Sequence, residues 1–276
     1  MMQELHIGRD IIDLLPNNLV QMREGDYIGN DGLIYCGKCH KVREQVLSWP
    51  LNPEKAPPFK RFPLDCDCER LARASAEAEE AEQARKKRAE EIRREGITDA
   101  RYANATFASD DRANPNISDA CMRYVEKWPD MYARNVGVML YGNVGTGKTF
   151  LASCIANALA EKGVTVRMTT LPELSSLMSS NFGKERLEIL DKVKQCQLLV
   201  LDDVGMSKNT ATATENAFAI INARNLVCRP LIITTNLNPD DMKNEKDIQL
   251  RRIYSRIFAM TKGAIIHVPG ADRRFQ

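Results

Sequence analysis

Uninterrupted apolar runs recur along the C-terminal part of the chain: Val136-Gly-Val-Met-Leu-Tyr141, Leu198-Leu199-Val200-Leu201 and Leu231-Ile232-Ile233-Thr234. Continuous rather than alternating hydrophobicity predicts strands covered on both faces. The alternation of these strands with helical stretches over residues 97–276 predicts an α/β domain built on a parallel sheet. Between Glu69 and Glu95 almost every residue is Ala, Glu, Arg or Lys, with no Pro or Gly. That composition predicts a long solvated helix, residues 69–96, laced by i, i+4 charge pairs and serving as a spacer. It is too poor in apolar residues for a coiled-coil seam, and its interleaved acids argue against a basic nucleic-acid arm. Residues 1–68 are instead dense in turn signals (Asp31-Gly32, Pro50, Pro53, Pro57-Pro58, Pro63) and hold half of the eight cysteines. The chain thus reads as a small cysteine-rich module at 1–68, a charged linker helix at 69–96 and an α/β domain at 97–276, with no internal repeat.

The first apolar run leads directly into Gly142-Asn143-Val144-Gly145-Thr146-Gly147-Lys148-Thr149, a complete G-x-x-x-x-G-K-[ST] phosphate-binding loop. Its glycines let successive N–H groups turn toward phosphates, and a helix starting near Lys148 adds the positive end of its dipole. Lys148 is expected to bridge the β and γ phosphates of ATP, and Thr149 to ligate Mg²⁺. The second run ends in Asp202-Asp203-Val204-Gly205. Alone it reads as a buried strand with an acidic turn. Beside a phosphate loop it takes the form of a Walker B strand, with Asp202 on Mg²⁺ and Asp203 orienting the attacking water. The third run ends in Thr235-Asn236, so Asn236 is placed to sense the γ phosphate or the water, although Asn236-Leu237-Asn238-Pro239 is also good loop chemistry.

Composition narrows the classes. At 276 residues and 43% hydrophobic, the chain can bury one full core and a small module; no apolar run reaches the roughly 18 residues of a membrane span, and the N-terminus lacks the form of a signal peptide. A cytoplasmic location is expected. The net charge of +2 by itself establishes no nucleic-acid partner.

The N-terminal cysteines form two close pairs, Cys36-Gly-Lys-Cys39 and Cys66-Asp-Cys68, separated by a Pro-rich loop. Two thiolates from each of two tight turns suit tetrahedral Zn²⁺, with the metal replacing a core that so short a module cannot build. The C-x-C step is less usual, and His40 directly follows Cys39, so a Cys3His set remains open. Unligated thiols, a disulfide pair and c-type haem attachment at Cys36-Gly-Lys-Cys39-His40 are the alternatives; a cytoplasmic chain disfavours the last two. Cys121, Cys154, Cys196 and Cys228 are scattered, as packing residues are.

Near the C-terminus, Leu250-Arg251-Arg252-Ile253-Tyr254-Ser255-Arg256-Ile257 presents arginines on a short helix, and the chain ends Gly270-Ala271-Asp272-Arg273-Arg274-Phe275-Gln276. The order and spacing of the phosphate loop, the Leu198–Gly205 and Leu231–Asn236 segments, Tyr254-Ser255-Arg256 and Gly270–Arg274 together resemble the AAA+ helicase loaders of the DnaC/DnaI type, including phage and mobile-element versions. The resemblance covers roughly residues 100–276 and extends only loosely to the cysteine module and charged helix.

It implies a P-loop AAA+ sheet flanked by helices and an ATPase that binds a replicative hexameric DNA helicase through residues 1–68 and delivers it to single-stranded DNA. It also implies self-association, with Arg256 as the finger reaching a neighbouring subunit's ATP and Arg273 as the sensor arginine on the γ phosphate. The segment around Arg101-Tyr102 and Thr106-Phe107 resembles the linker that lies near the adenine. No aromatic stacking platform stands out, so DNA contact rests on the resemblance, among the basic residues between Thr169 and Lys194. Asp203 stands where many AAA+ proteins carry Glu, and the shorter carboxylate implies slow intrinsic hydrolysis. Three other readings use the same residues: an IstB-like transposition helper ATPase, a nucleotide kinase, and an ATP-binding adaptor that does not hydrolyse.

Overall fold

The computed structural model describes residues 21–48, 59–97, 99–205 and 210–273. The chain divides into two compact units, Met1–Glu82 and Gln83–Gln276, with the division falling inside the helix Asp67–Gly96.

In the first unit two short antiparallel hairpins carry the fold: β1 (Tyr27–Ile28) pairs with β2 (Ile34–Tyr35), and β3 (Glu44–Ser48) with β4 (Phe59–Pro63). Tyr27 and Tyr35, opposite one another in the first hairpin, stack at 5.7 Å. Among the described residues the interior is only partly apolar. Ile34, Cys36 and Cys66 are buried together with Arg43 and Glu44. Arg43 bonds Asp26 and, at 3.1 Å, Glu69; Glu44 accepts from the Ile34 N–H at 2.9 Å and from Arg61 at 2.7 Å. Buried charges are tolerated because each has a partner of opposite sign.

The second unit has the predicted parallel sheet, five strands in the order β6-β7-β8-β5-β9: β5 (Val138–Tyr141), β6 (Val166–Thr170), β7 (Leu198–Asp202), β8 (Leu231–Thr235) and β9 (Ile265–His267). The three apolar runs become the central strands β5, β7 and β8. Their core residues Leu140, Val200 and Ile232 are fully buried on one side of the sheet, and Met139, Leu199 and Ile233 on the other. β8 lies between β5 and β7, so a strand late in sequence separates the phosphate loop from the acidic strand end.

Helices cover both faces. The Ala-rich helix Lys148–Glu161 packs nearly all round into one of them, whereas Ala211–Leu226 and Ile248–Met260 pack against the other. Arg224 is fully buried at the end of the Ala211–Leu226 helix. Its guanidinium donates to the carbonyls of Val193, Cys196, Gln197 and Pro230, joining the two loops that precede β7 and β8.

The long helix is solvated over most of its length, as its composition predicts, but its last turns bury Ala89, Ile92 and Gly96. Ile97 then pairs with Met168 beside β6, and a Cβ on Gly96 would lie 1.8 Å from the Val166 carbonyl oxygen. The end of the helix is therefore anchored on the second unit's core, with the Arg93–Glu161 pair at 2.5 Å beside it. Of the scattered cysteines, Cys121, Cys154 and Cys196 are buried, as packing residues should be. Cys228 is exposed in a left-handed turn ahead of β8.

Candidate nucleotide site and cysteine cluster

All the central strands end at the same edge of the sheet, and there the sequence motifs converge around a cleft of about 540 Å³. The loop between β5 and the Lys148–Glu161 helix turns through positive φ at Gly142, Gly145 and Gly147 (149°, 76° and 97°), conformations open to glycine and strained for other residues. A Cβ at Gly142 would lie 2.4 Å from the Val268 carbonyl oxygen, so that glycine also permits close passage of the chain beyond β9. Thr146 is buried and donates to the Asn143 carbonyl at 3.1 Å. The Lys148 ammonium is held inside the loop by the carbonyls of Gly142 (3.0 Å) and Asn143 (2.6 Å). Val144 is exposed at the loop's tip.

Across the cleft, the Asp202 carboxylate is a hub. Its Oδ1 accepts from the hydroxyls of Thr149 (2.8 Å) and Thr234 (2.5 Å), and its Oδ2 from the Tyr102 hydroxyl (2.8 Å). Thr234 also accepts the Asp203 N–H at 2.9 Å, so one hydroxyl on β8 fixes the turn that ends β7. Asp203 adopts φ of 52°, and its carboxylate, exposed to the cleft, is 3.4 Å from the Asn236 side-chain amide. Lys148, Thr149, Asp202, Asp203 and Asn236 are thus brought to one place. The strain at Asp203 is of a kind that concentrates at functional sites.

The two arginines lie apart from this constellation and from each other. Arg273 runs alongside the phosphate loop: its N–H donates to the Gly145 carbonyl at 3.1 Å, and its guanidinium lies about 3.4 Å from where a Gly147 Cβ would be and grips Asp111 with both carboxylate oxygens, at 3.0 and 3.1 Å. Arg256 does not line the cleft of its own chain. It packs on the Phe218 ring and donates to Asn222 at 3.0 Å, with Arg252 against the same ring.

Two residues of the site carried no clear sequence signal. Thr234 is one polar position at the end of an apolar strand, and nothing local in the sequence ties Tyr102 to the acidic strand end.

The family described as IstB-like ATP binding protein matches residues 78–245, which include the phosphate loop, both aspartates and Asn236. The chain belongs to this family. As an IstB-like protein it is 28% identical, over 184 residues, to the replicative helicase loader DnaI of Bacillus subtilis (strain 168), an alignment covering 62% of this chain and 58% of that protein. It is 32% identical, over 143 residues, to an ATP-binding protein of an insertion sequence in Mycobacterium tuberculosis, covering 50% of this chain and 56% of that one. The chain spans less than two thirds of either relative. A crystal structure of DnaI superposes with a TM-score of 0.52 at 24% identity over 64% of this chain and 94% of that one, a likeness of fold that agrees with the expected AAA+ arrangement. Arg256, Arg273 and the cysteine pairs lie outside the residues the family matches. Among the described residues no helix is long and apolar enough to cross a membrane.

In the first unit, the sulfurs of Cys36, Cys39, Cys66 and Cys68 all lie within 4.8 Å of one another. The edge of a tetrahedron with metal–sulfur bonds of about 2.3 Å is roughly 3.8 Å, so a small inward movement completes a four-thiolate site. Cys36 and Cys39 sit in a tight turn closed by the His40 N–H on the Cys36 carbonyl at 2.9 Å, with His40 at φ of 54°. His40 turns away from the cluster: its Nδ1 meets the Tyr27 hydroxyl at 3.2 Å. The Cys68 and Lys41 N–H groups lower the Cys39 thiol to about 6, whereas sharing a hydrogen bond with Cys39 pushes the Cys68 thiol up to about 12. One thiol ionises at its neighbour's expense. Four thiolates side by side need a cation, and this donor set fits a metal of the zinc type.

Proposed function

We propose that this protein is an ATP-driven loader that binds a replicative hexameric DNA helicase and delivers it to single-stranded DNA, with ATP binding and hydrolysis as the switch. The observation that carries the reading is the similarity to the helicase loader DnaI across 184 residues, a longer stretch than the 143 shared with the insertion-sequence protein. The cysteine module and long charged helix ahead of the ATPase core also favour it. The 32% identity to the insertion-sequence protein keeps a second reading alive, an IstB-like helper serving a transposase.

On this reading residues 1–68 form the helicase-binding module, 69–96 the linker and 97–276 the ATPase. Lys148 leaves its two carbonyls for the β and γ phosphates, and the remaining loop N–H groups from Gly142 to Thr149 cradle the chain of phosphates. Thr149 and Asp202 are the residues that would hold Mg²⁺, which neutralises phosphate charge when bound. Asp203 orients the attacking water, and Asn236, beside it at 3.4 Å, senses the γ phosphate or that water. Arg273 reaches the γ phosphate from beside Gly147. Arg256 completes the site of the next subunit, which requires self-association. Zn²⁺ would be held by Cys36, Cys39, Cys66 and Cys68, with His40 outside the set.

Single-stranded DNA contact falls on the face carrying Phe182, whose side chain is 80% exposed in the loop ahead of the Lys184–Gln195 helix. Its ring is free for a base to stack on, with Lys184 two residues on for the phosphate backbone. A cytoplasmic location follows from such partners. The short Asp203 carboxylate implies slow hydrolysis; steady-state turnover of several per second by the protein alone, about the middle of the ordinary enzyme range, overturns that part.

The deciding test is capture of the host replicative helicase on the purified protein, with and without ATP, followed by mass measurement of the complex. A complex that disappears when residues 1–68 are removed supports the loader. Absence of binding to any replicative helicase shifts the reading to the transposition helper.

A further inference from the structure

Among the described residues, Tyr102 reaches the acidic strand end of the nucleotide cleft from outside the sheet and its phosphate loop. It sits on the short helical turn Ala100–Ala103, soon after the long helix ends at Gly96. Its side chain is only 7% exposed, and its hydroxyl donates to Asp202 Oδ2 at 2.8 Å. The backbone beneath it is fixed: the Asn157 amide, on the helix that follows the phosphate loop, donates to the carbonyls of Tyr102 (2.7 Å) and Ala105 (2.9 Å). The Tyr102 N–H in turn donates to the Asp99 carbonyl at 3.0 Å. Asp202 Oδ1 is already occupied by the Thr149 and Thr234 hydroxyls. The Tyr102 hydroxyl therefore sets the remaining rotational freedom of the carboxylate.

We propose that Tyr102 is a positioning residue which holds the Asp202 carboxylate in register for Mg²⁺ and thereby ties the segment between the long helix and the ATPase core to the metal-bound state of the nucleotide. The inference rests on the reading of this cleft as an Mg²⁺–ATP site. An oriented outer partner raises a ligand's affinity for metal by fixing its geometry, and losing such a partner ordinarily weakens metal binding by on the order of tenfold. The hydroxyl is separable from the ring. The ring packs among the residues under the phosphate-loop helix and is part of the core, whereas the hydroxyl donates to Asp202.

Tyr102→Phe keeps the ring and removes the hydroxyl. Binding of a fluorescent ATP analogue to the full chain is titrated with Mg²⁺, after binding in excess chelator has been measured for both proteins. The expected result is unchanged affinity in chelator, with the Mg²⁺ concentration for half-maximal enhancement raised on the order of tenfold in the variant. An identical Mg²⁺ midpoint in the two proteins overturns the proposal. Failure of the unaltered protein to bind the analogue at all instead overturns the reading of the site. A second measurement guards against a folding defect in the variant: amide exchange across residues 99–107 of the unaltered protein, nucleotide with Mg²⁺ against nucleotide with chelator. Added protection from Mg²⁺ supports the link; the same exchange in both conditions removes it.

Discussion

The two units solve the problem of building a site in opposite ways. In the ATPase unit the site is a by-product of the core: β7, β8 and all of β5 but Tyr141 are buried between helices, and Asp202, Asn236 and the loop leading to Lys148 lie where those strands emerge. In the cysteine unit the described interior holds Arg43, Glu44 and two buried thiols around hairpins of at most five residues a strand. Among its described residues, little apolar surface is buried to offset the entropy of ordering the chain. There the site must make the core. A binding site resting on a large apolar sheet can be dismantled without unfolding anything, whereas a site standing in for a core cannot.

The sharpest way to break this contrast is to remove the metal that the four thiols fit. Structural zinc contributes about 10–16 kcal/mol of apparent binding free energy that is also folding free energy. Chelation, or Cys66→Ser, is expected to abolish amide-exchange protection over residues 21–48 and 59–68 and leave that of 99–205 unchanged. Metal analysis of the purified protein should find one zinc for each chain. A chelated protein whose cysteine unit keeps its protection would show that hairpins and ion pairs suffice, and the contrast would fail.

The converse change is Lys148→Ala. Lys148 is 93% buried, and its ammonium donates to two carbonyls of the loop itself. Loss of the charge-assisted contact with phosphate is expected to weaken binding of an ATP analogue by on the order of a hundredfold, while the denaturant midpoint moves by less than the equivalent of about 1 kcal/mol. Calorimetric titration and urea unfolding read the two effects separately. A variant that unfolds instead of merely losing nucleotide would place the phosphate loop inside the core's stability, as in the other unit.

The same contrast explains what could be read in the sequence. Strands buried on both faces must be continuous apolar runs, so β5, β7 and β8 were visible, and the polar residues at their ends were found with them. β6 and β9 were not singled out, because Val166-Arg-Met-Thr-Thr170 and Ile265-Ile-His267 are short or mixed. The order of strands was also hidden: nothing local says that β8 lies between β5 and β7, and so nothing pointed to Thr234 as the bridge between Asp202 and Asp203. Tyr102 was missed as a partner of Asp202 because that contact joins residues separated by 100 positions. Spacing grouped the cysteines correctly, but only the left-handed turn at His40 shows why that imidazole faces Tyr27 and not the thiols.

A smaller device tests how much of the ATPase unit's order at the cleft is local. The Leu171–Ser180 helix starts beside the site with a reciprocal cap: Thr170 accepts the Glu173 N–H at 3.1 Å, and Glu173 accepts the Thr170 N–H at 3.0 Å and the Thr169 hydroxyl at 2.9 Å. Thr170 is also the register partner of Asp202. Thr170→Ala is expected to cost about 1 kcal/mol, measured by urea unfolding, with nucleotide affinity unchanged. The Thr170 N–H holds the Glu173 carboxyl below its ordinary value of 4.5. Because the folded value is the lower one, the carboxylate's contribution is complete above pH 4.5 and is lost as pH falls through the folded value. Glu173→Gln should therefore flatten the acid limb of the stability curve below pH 4.5 and leave stability near neutrality only slightly reduced. If that limb is unchanged, the cap contributes nothing that the buried sheet behind it does not already supply.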